Sequence, residues 1–594
     1  MRRPSRRSTR PGIEGLEARG VPTTFTVLNL ADGVSGSLRA AIEAANSHPG
    51  ADIITFARGL KGTVTLTGGE LSITDDLQVA GPGPGRLAVS GNNASRVFRI
   101  GNGASVTIED LTITRGRAGQ GGGVFCEAGT ELTLKACTVT DNRATLSQID
   151  LGGGGGVFVA GVATINGCTF LANSATGSEY AYGGGLQVSG GTLCVTNSHF
   201  SDNVAEGSAF GSGGALDSEF STVSIVGSTF TNNRARGLGP GATAYGGALA
   251  SYDEEGNDRS FTLSGCVLAG NQALGGAGGD GLSYETAGGG KGGAFQPTNT
   301  TVVMADCTLL GNEAVTGTLA PGAAADLSLA GGGGFVGFGG SLDASNCLIV
   351  GNRALGGAGA LAYGGGLAMG YGGVLTAADC VFLGNIALGG AGGIGGAGGD
   401  AWGGGLDVSV GSTATLSGCA FLGNAAVGGA GGAGAAGGRG IGGAILIGDD
   451  VLFGFPDNSA LAMNGCLLAD NEARGGRGGI GGAGGDAWGG GLAVIGGVAE
   501  VAGCTIRDNQ AAGGDGRRGG SGGDGLGGGL FVNRDATLIV RRSTVTKNQA
   551  NGGGPGGRGI GGGVYNLGLF IVDAGTSIRK NRASTSHDEV FGRG

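Results

Sequence analysis

Thirteen asparagines set the period of this chain: Asn142, Asn173, Asn203, Asn233, Asn271, Asn312, Asn352, Asn385, Asn424, Asn471, Asn509, Asn548 and Asn581, at intervals of 30 to 47 residues. A repeat of this length marks an array of supersecondary units, none of which can bury its apolar face alone. Around each asparagine the same phrase recurs. Alanine stands two residues after it in every copy, from Ala144 to Ala583, and a large apolar side chain such as Phe170, Leu309 or Ile578 stands three before it. Five before it is a small side chain, cysteine in nine copies and Ser198, Ser228, Ser543 or Thr576 in the others. Alternation by two makes this a short strand ending in a turn, with small, large and alanine side chains facing inward. The asparagine itself is expected to take the left-handed backbone of the turn, with its amide bonded to the asparagines above and below. In the degenerate copy Leu111 to Ala118, Gly116 replaces it, which argues for a backbone requirement first and a side-chain ladder second.

A second phrase lies between the asparagines, as in Gly183-Gly184-Gly185-Leu186, Gly213-Gly214-Ala215-Leu216 and Gly442-Gly443-Ala444-Ile445. With a third apolar run such as Thr537 to Val540, each repeat makes a coil of three short strands. Stacked coils give an all-β fold, a right-handed single-stranded parallel β-helix of about sixteen coils.

The alternation of Gly-Gly-Ala-Leu with Phe-x-x-Asn, as at Phe170 to Asn173, Phe200 to Asn203 and Phe421 to Asn424, resembles the repeat of the polymorphic outer membrane proteins. That resemblance covers roughly residues 100 to 585 and implies a surface-exposed adhesin, although no alternating strands for a membrane barrel follow the last repeat. The string Gly36 to Asn46 resembles a Ser-Leu-Arg-Glu-Ala module that precedes bacterial β-helices, with Ala40 in the place of its glutamate. Residues 23–60 are accordingly read as an N-terminal α/β cap, with Leu38, Ala41, Ile42 and Ala45 as the apolar face of its helix. Residues 61–583 are the β-helix, and 584–594 a C-terminal tail that folds over the last coil. Residues 1–22 are basic, without the apolar core of a secretory signal; they read as a disordered start or, through Leu16 to Pro22, as resembling a short export motif of planctomycete-like bacteria.

The long insertions Gly389 to Gly399, Gly428 to Gly438, Gly475 to Gly485 and Gly513 to Gly523 are built of Gly-Gly-x triplets. A period of three with two glycines suits extended left-handed helices packed side by side, so these lateral loops are expected to stack as a flange; flexible disorder is the alternative. Four stretches, Gly275 to Ser283, Gly395 to Gly403, Gly481 to Gly489 and Gly519 to Gly527, match a nine-residue calcium repeat, each in single copy. Asp400, Asp486 and Asp524 share one offset with Arg439, which predicts an Asp-Arg-Asp-Asp stack. A structural charge ladder is one reading; calcium between Asp486 and Asp524 is the other. Trp402 and Trp488 read as plugs at the base of their loops.

Net charge of −10 and a pI near 5.0 argue against nucleic acid as a partner. Aromatic residues at 5% suggest little of the stacking surface that a carbohydrate cleft needs. The cysteine column reads as small interior hydrophobes, because stacked side chains about 4.8 Å apart are too distant for relaxed disulfides. The outward column Asp141, Asp202, Asp470, Asp508, Lys547 and Lys580 and the loop Asp253, Glu254, Glu255, Asp258 and Arg259 are the candidate acid–base positions; neither forms a catalytic constellation. The expected function is a non-catalytic extracellular or cell-surface structural or adhesin-like protein, with possible partners among surface polysaccharides and proteins, no cofactor save possible calcium, and no transmembrane segment. The alternative is a carbohydrate-active β-helix enzyme, a polysaccharide lyase or hydrolase.

Overall fold

A computed structural model describes residues 22–146, 153–254, 259–277, 288–317, 329–448 and 458–592. The basic segment 1–21, the tail residues 593–594, Glu255, Asp258 and most of the Gly275–Ser283 stretch lie outside the described residues. Strand pairing is parallel throughout, and like stacks on like: Phe170 on Phe200 on Phe230, Ala354 on Ala387 on Ala426. One coil can be followed through Val204–Gly207, Phe210–Ser212, Leu216–Glu219, Thr222–Val226 and Thr229–Thr231. These strands enter five sheets, called sheets 1 to 5 in that order, of 14, 11, 16, 17 and 16 strands. The expectation of three strands per coil is thereby corrected to five.

The two unforeseen strands flank the insertion. Sheet 1 leaves the asparagine corner, sheet 2 returns to the Gly-Gly corner, and the two pack back to back mainly through alanine and glycine. Ala354, Ala387 and Ala426 of sheet 1 meet Ala330, Ala362 and Ala401 of sheet 2, all fully buried. A β-carbon at Gly211 would stand 2.4 Å from the Ala205 carbonyl oxygen, so nothing larger fits. The result is a thin wing standing off the body formed by sheets 3, 4 and 5. Inside that body the phenylalanines stack face to face, with ring centroids 4.4 Å apart for Phe170–Phe200 and 4.8 Å for Phe200–Phe230.

At the base of the wing the asparagines form one continuous ladder. Asn352 donates its amide to Asn385 Oδ1 at 3.0 Å and to the Leu309 carbonyl at 2.9 Å, and the Asn352 backbone N–H donates to the same Asn385 Oδ1 at 3.0 Å. The pattern repeats from Asn142 to Asn548, and Asn581 ends it by donating to Glu589 Oε2 of the tail at 2.7 Å. The left-handed backbone sits one residue earlier than expected. Asp141, Ala172, Asp202, Asp470 and Lys547 have φ between 53° and 59°, and Gly270, Gly311, Gly351, Gly384 and Gly423 share their column. The order of requirements is therefore reversed: the asparagine is kept for its side chain, and glycine in the preceding column is the cheap solution to the turn. Gly116 answers a lack of space, since a β-carbon there would lie 1.9 Å from the Gly122 carbonyl oxygen.

All eleven cysteines are free. The exchange of sulfur for hydroxyl in their column has a second reason beyond size: Cys137 N–H donates to Cys168 Sγ at 3.4 Å, and Cys168 N–H to Ser198 Oγ at 3.1 Å. Each layer needs a small acceptor for the N–H of its neighbour.

Helix α1, Leu38–Asn46, begins at Ser37, whose hydroxyl accepts the Ala40 N–H, and buries Leu38, Ala41, Ile42 and Ala45 over the first coil. Arg39 locks it down by pairing with Asp32 at 2.8 Å and donating to the Gly69 and Glu70 carbonyls. Burial by itself would raise the Asp32 carboxyl; hydrogen bonds from Arg39 and from the backbone N–H groups of Gly68 and Thr67 hold it at about 2.

The glycine triplets form an ordered flange. Gly429 N–H donates to the Gly399 carbonyl at 2.8 Å, Gly476 to Gly438 at 2.8 Å and Gly514 to Gly485 at 2.8 Å, so each loop hydrogen-bonds to the one before it. A β-carbon at Gly429 would lie 2.0 Å from the Gly390 oxygen and one at Gly476 1.9 Å from that of Gly429. Gly429 and Gly476 thus face neighbouring backbone, whereas Ala430 and the tip residues Gly393, Gly395, Ala433 and Gly434 are exposed.

Candidate functional site

The Gly-Gly corner decides where a site can form. Its first glycine has positive φ, 59° at Gly213 and 57° at Gly246, and its second lies against sheet 1, where a β-carbon at Gly214 would stand 2.5 Å from the Arg234 backbone. The chain therefore bends sharply from the wing into the body, and the outer faces of sheets 2 and 3 meet as the walls of a groove. Two columns of side chains line it. Sheet 2 supplies the residue before the first glycine: Tyr182, Ser212, Tyr245, Lys291, Gly331, Tyr363 and Trp402 in successive layers. Sheet 3 supplies the residue four after that glycine: Gln187, Asp217, Ala250, Gln296, Val336, Ala368 and Asp407.

The groove between them has a volume of about 740 Å³. Aromatic residues scarce in the chain as a whole are gathered here, among them Tyr182, Tyr245, Tyr252, Tyr363, Tyr371 and Trp402. This overturns the inference that a low aromatic content leaves little stacking surface. Three carboxylates and one lysine line the same groove: Asp217, Glu219, Asp407 and Lys291.

Asp217 and Glu219 project to the same side of one strand. Asp217 is 3% exposed; Ser212 Oγ donates to its Oδ2 at 2.5 Å, and its buried Oδ1 has no hydrogen-bond partner. Burial, followed by the charge of Glu219, pushes the Asp217 carboxyl well above the usual range. Glu219, half-buried beside it, is pushed up to about 7 by burial. The Tyr182 phenol is raised by burial and by both carboxylates. Two acids with displaced protonation, one of them reaching the open groove, are the ingredients of proton transfer near neutral pH. Asp407, five layers away, accepts a hydrogen bond from Ser409 Oγ at 2.8 Å. Lys291 Nζ lies 3.4 Å from Tyr363 Oη, and burial lowers its amine to about 7.

The charged residues singled out in the sequence fall elsewhere. Asp141, Asp202, Asp470, Asp508, Lys547 and Lys580 hold the left-handed corner. Asp253 pairs with Arg259 at 3.2 Å. On the wing, Arg439 pairs with Asp400 at 2.8 Å, Asp486 Oδ1 accepts the Asp524 N–H at 2.7 Å, and Arg558, unforeseen in the stack, pairs with Asp524 at 2.6 Å. Among the described residues there is no group of three or more His, Cys, Asp or Glu that could hold a metal ion. Trp402 lines the groove at 6% exposure; Trp488 stacks on Phe531, with the Arg439 guanidinium 5.0 Å from its ring centre. The signal for the groove was present in the two columns beside each Gly-Gly, but it becomes a site only when those columns are known to face each other.

Residues 87–257 match the family model described as right handed beta helix region. The chain is a right-handed parallel β-helix repeat protein, as the stacked parallel sheets require. No curated protein matches it in sequence. Among solved structures it is similar to the Agl-KA catalytic domain, at 11% identity and a TM-score of 0.31, over 65% of this chain and 62% of that one. The catalytic domain of a GH87 alpha-1,3-glucanase in complex with tetrasaccharides matches at 11% identity and a TM-score of 0.28, over 60% of this chain and 65% of the other. Bacteriophage CBA120 tailspike protein 3 matches at 9% identity and 0.26, over 94% and 60%. This chain thus spans less than two thirds of each of these three chains. No helix among the described residues is long and apolar enough to cross a membrane.

Proposed function

We propose that the chain is an extracellular or cell-surface carbohydrate-active enzyme that cleaves a polysaccharide held along the sheet 2–sheet 3 groove. One observation carries this reading: Glu219, titrating at about 7, reaches an aromatic-lined groove beside the buried, proton-holding Asp217. Aromatic faces bind sugar rings, and a carboxyl poised near neutrality exchanges a proton with a glycosidic oxygen or an attacking water. Glu219 is the catalytic residue in this scheme. Asp217, too buried to meet substrate, is a positioning residue that keeps a proton next to it.

The test is release of reducing or unsaturated ends from a panel of neutral and acidic polysaccharides by the wild-type chain and by Glu219→Gln. Turnover that the substitution abolishes supports the enzyme. Glycan binding without turnover in the wild type returns the chain to an adhesin-like surface protein, which the resemblance of its repeats to polymorphic outer membrane proteins implies.

A further inference from the structure

Among the described residues Lys291 is the one basic side chain lining the groove, and the acid–base pair makes no use of it. It sits on sheet 2 two layers from Ser212, which at about 4.8 Å per layer is roughly 10 Å along the groove from Asp217 and Glu219. Among the described residues its surroundings hold no counter-charge. Tyr245 lies in the layer before it and Gly331 in the layer after, with Gln296 across the corner on sheet 3. The Tyr363 ring reaches back over Gly331 to place its hydroxyl 3.4 Å from Nζ and its ring centre 5.3 Å away. Gly331 is required for this, because a β-carbon there would lie 2.1 Å from the Tyr363 ring. The groove carboxylates Glu219 and Asp407 stand two and three layers off, and among the described residues Lys291 has no carboxylate partner.

A desolvated ammonium without an anion is costly, and a ligand that brings the anion removes that cost. We propose that Lys291, framed by Tyr363 and Gln296, is a specificity subsite for an anionic substituent, a carboxylate or a sulfate ester, on a sugar unit about two residues from the bond presented to Glu219. The inference rests on the glycan-groove reading above and narrows it to acidic polysaccharides. Repulsion at the other end is small, because Asp217 holds its proton and Glu219 is only partly ionised near neutral pH. The burial that lowers the free amine to about 7 adds a proton linkage: an anion raises it, so binding takes up a proton and weakens as pH rises above 7.

Titration calorimetry tests this with three probes of matched length, neutral gluco-oligosaccharides, oligogalacturonates and sulfated oligosaccharides, on the full chain and on Lys291→Met and Lys291→Arg. The expected result is that at least one acidic probe binds about tenfold or more tightly than the neutral one, that Lys291→Met removes this preference and leaves neutral binding in place, and that Lys291→Arg restores part of it. Which acidic probe responds separates carboxylate from sulfate recognition. Affinity of that probe should fall between pH 6 and pH 9 in the wild type and stay flat in Lys291→Met. Neutral probes binding as tightly as both acidic ones, or an acidic preference that survives Lys291→Met, would overturn the inference and leave the groove reading intact. No binding of any probe would overturn both.

Discussion

The two corners at the base of the wing are built from the same chain reversal and stand against each other, yet they are used in opposite ways. At the asparagine corner thirteen layers repeat one buried side chain, and each amide from Asn142 to Asn548 bonds to the next as well as to neighbouring backbone. At the Gly-Gly corner the glycines repeat while the flanking residues change from layer to layer, running Tyr, Ser, Tyr, Lys, Gly, Tyr, Trp on one wall. In a stack, a side chain that bonds to its own copy must be invariant, whereas one that meets a ligand need only suit its place along that ligand. Invariance here marks the frame and variation marks the site.

Substitutions on the two sides should separate cleanly. The largest effect is expected from Glu219→Gln, which should lower turnover by about 10² to 10⁴ and abolish the change in rate as pH passes through 7, while the fold persists. The sign for stability is the reverse. A carboxyl raised in the folded state contributes stability that is complete below about pH 4.3 and lost as pH rises through 7, so at pH 8 the variant should melt no lower than the wild type. Asn352→Ala should do the opposite, leaving the groove chemistry alone and costing about 3 kcal/mol in denaturant unfolding, since it removes the acceptor of the Asn312 backbone N–H and of one Asn312 amide hydrogen, and the donor to the Leu309 carbonyl, in a dry interior. An unfolding midpoint unchanged by Asn352→Ala would break the contrast between the corners. Next, Gly429→Val should cost about 1 to 3 kcal/mol, through a collision with the Gly390 carbonyl, and loosen hydrogen-exchange protection across neighbouring glycine loops more than in the body. Tyr252→Ala, exposed on the groove side, should cost less than about 1 kcal/mol in stability but weaken glycan binding measurably. Smallest of all, Arg558→Ala and added calcium should each leave the melting temperature unchanged, because that ion pair is solvent-screened and Arg558 and backbone N–H groups already occupy the Asp524 and Asp486 oxygens.

Much of the frame was legible because stacking prints itself in sequence. The inward alanine, the large apolar residue and the Cys or Ser column all recur at fixed offsets, and so does the helical cap with Leu38, Ala41, Ile42 and Ala45 inside. Backbone detail was less legible: the left-handed residue precedes the asparagine, and nothing in the phrase distinguishes a turn residue from its neighbour without the hydrogen-bond geometry. The wing was missed because its strands are only two to four residues long, too short to show a period. With the wing went the groove. Asp217 and Glu219 stand in a single repeat, and no count over repeats can find a residue that occurs once.

The sequence by itself determined the period, the stacking of like on like, the contents of the core and the demand for close backbone approach in the glycine loops. Each of these is a nearest-neighbour matter, repeated often enough to be read. Tertiary structure alone decided that sheet 2 turns its outer face toward sheet 3, and so brought Lys291, Tyr363, Asp217 and Glu219 to one groove. That juxtaposition depends on the angle of a glycine corner, and an angle in space leaves no periodic trace along the chain.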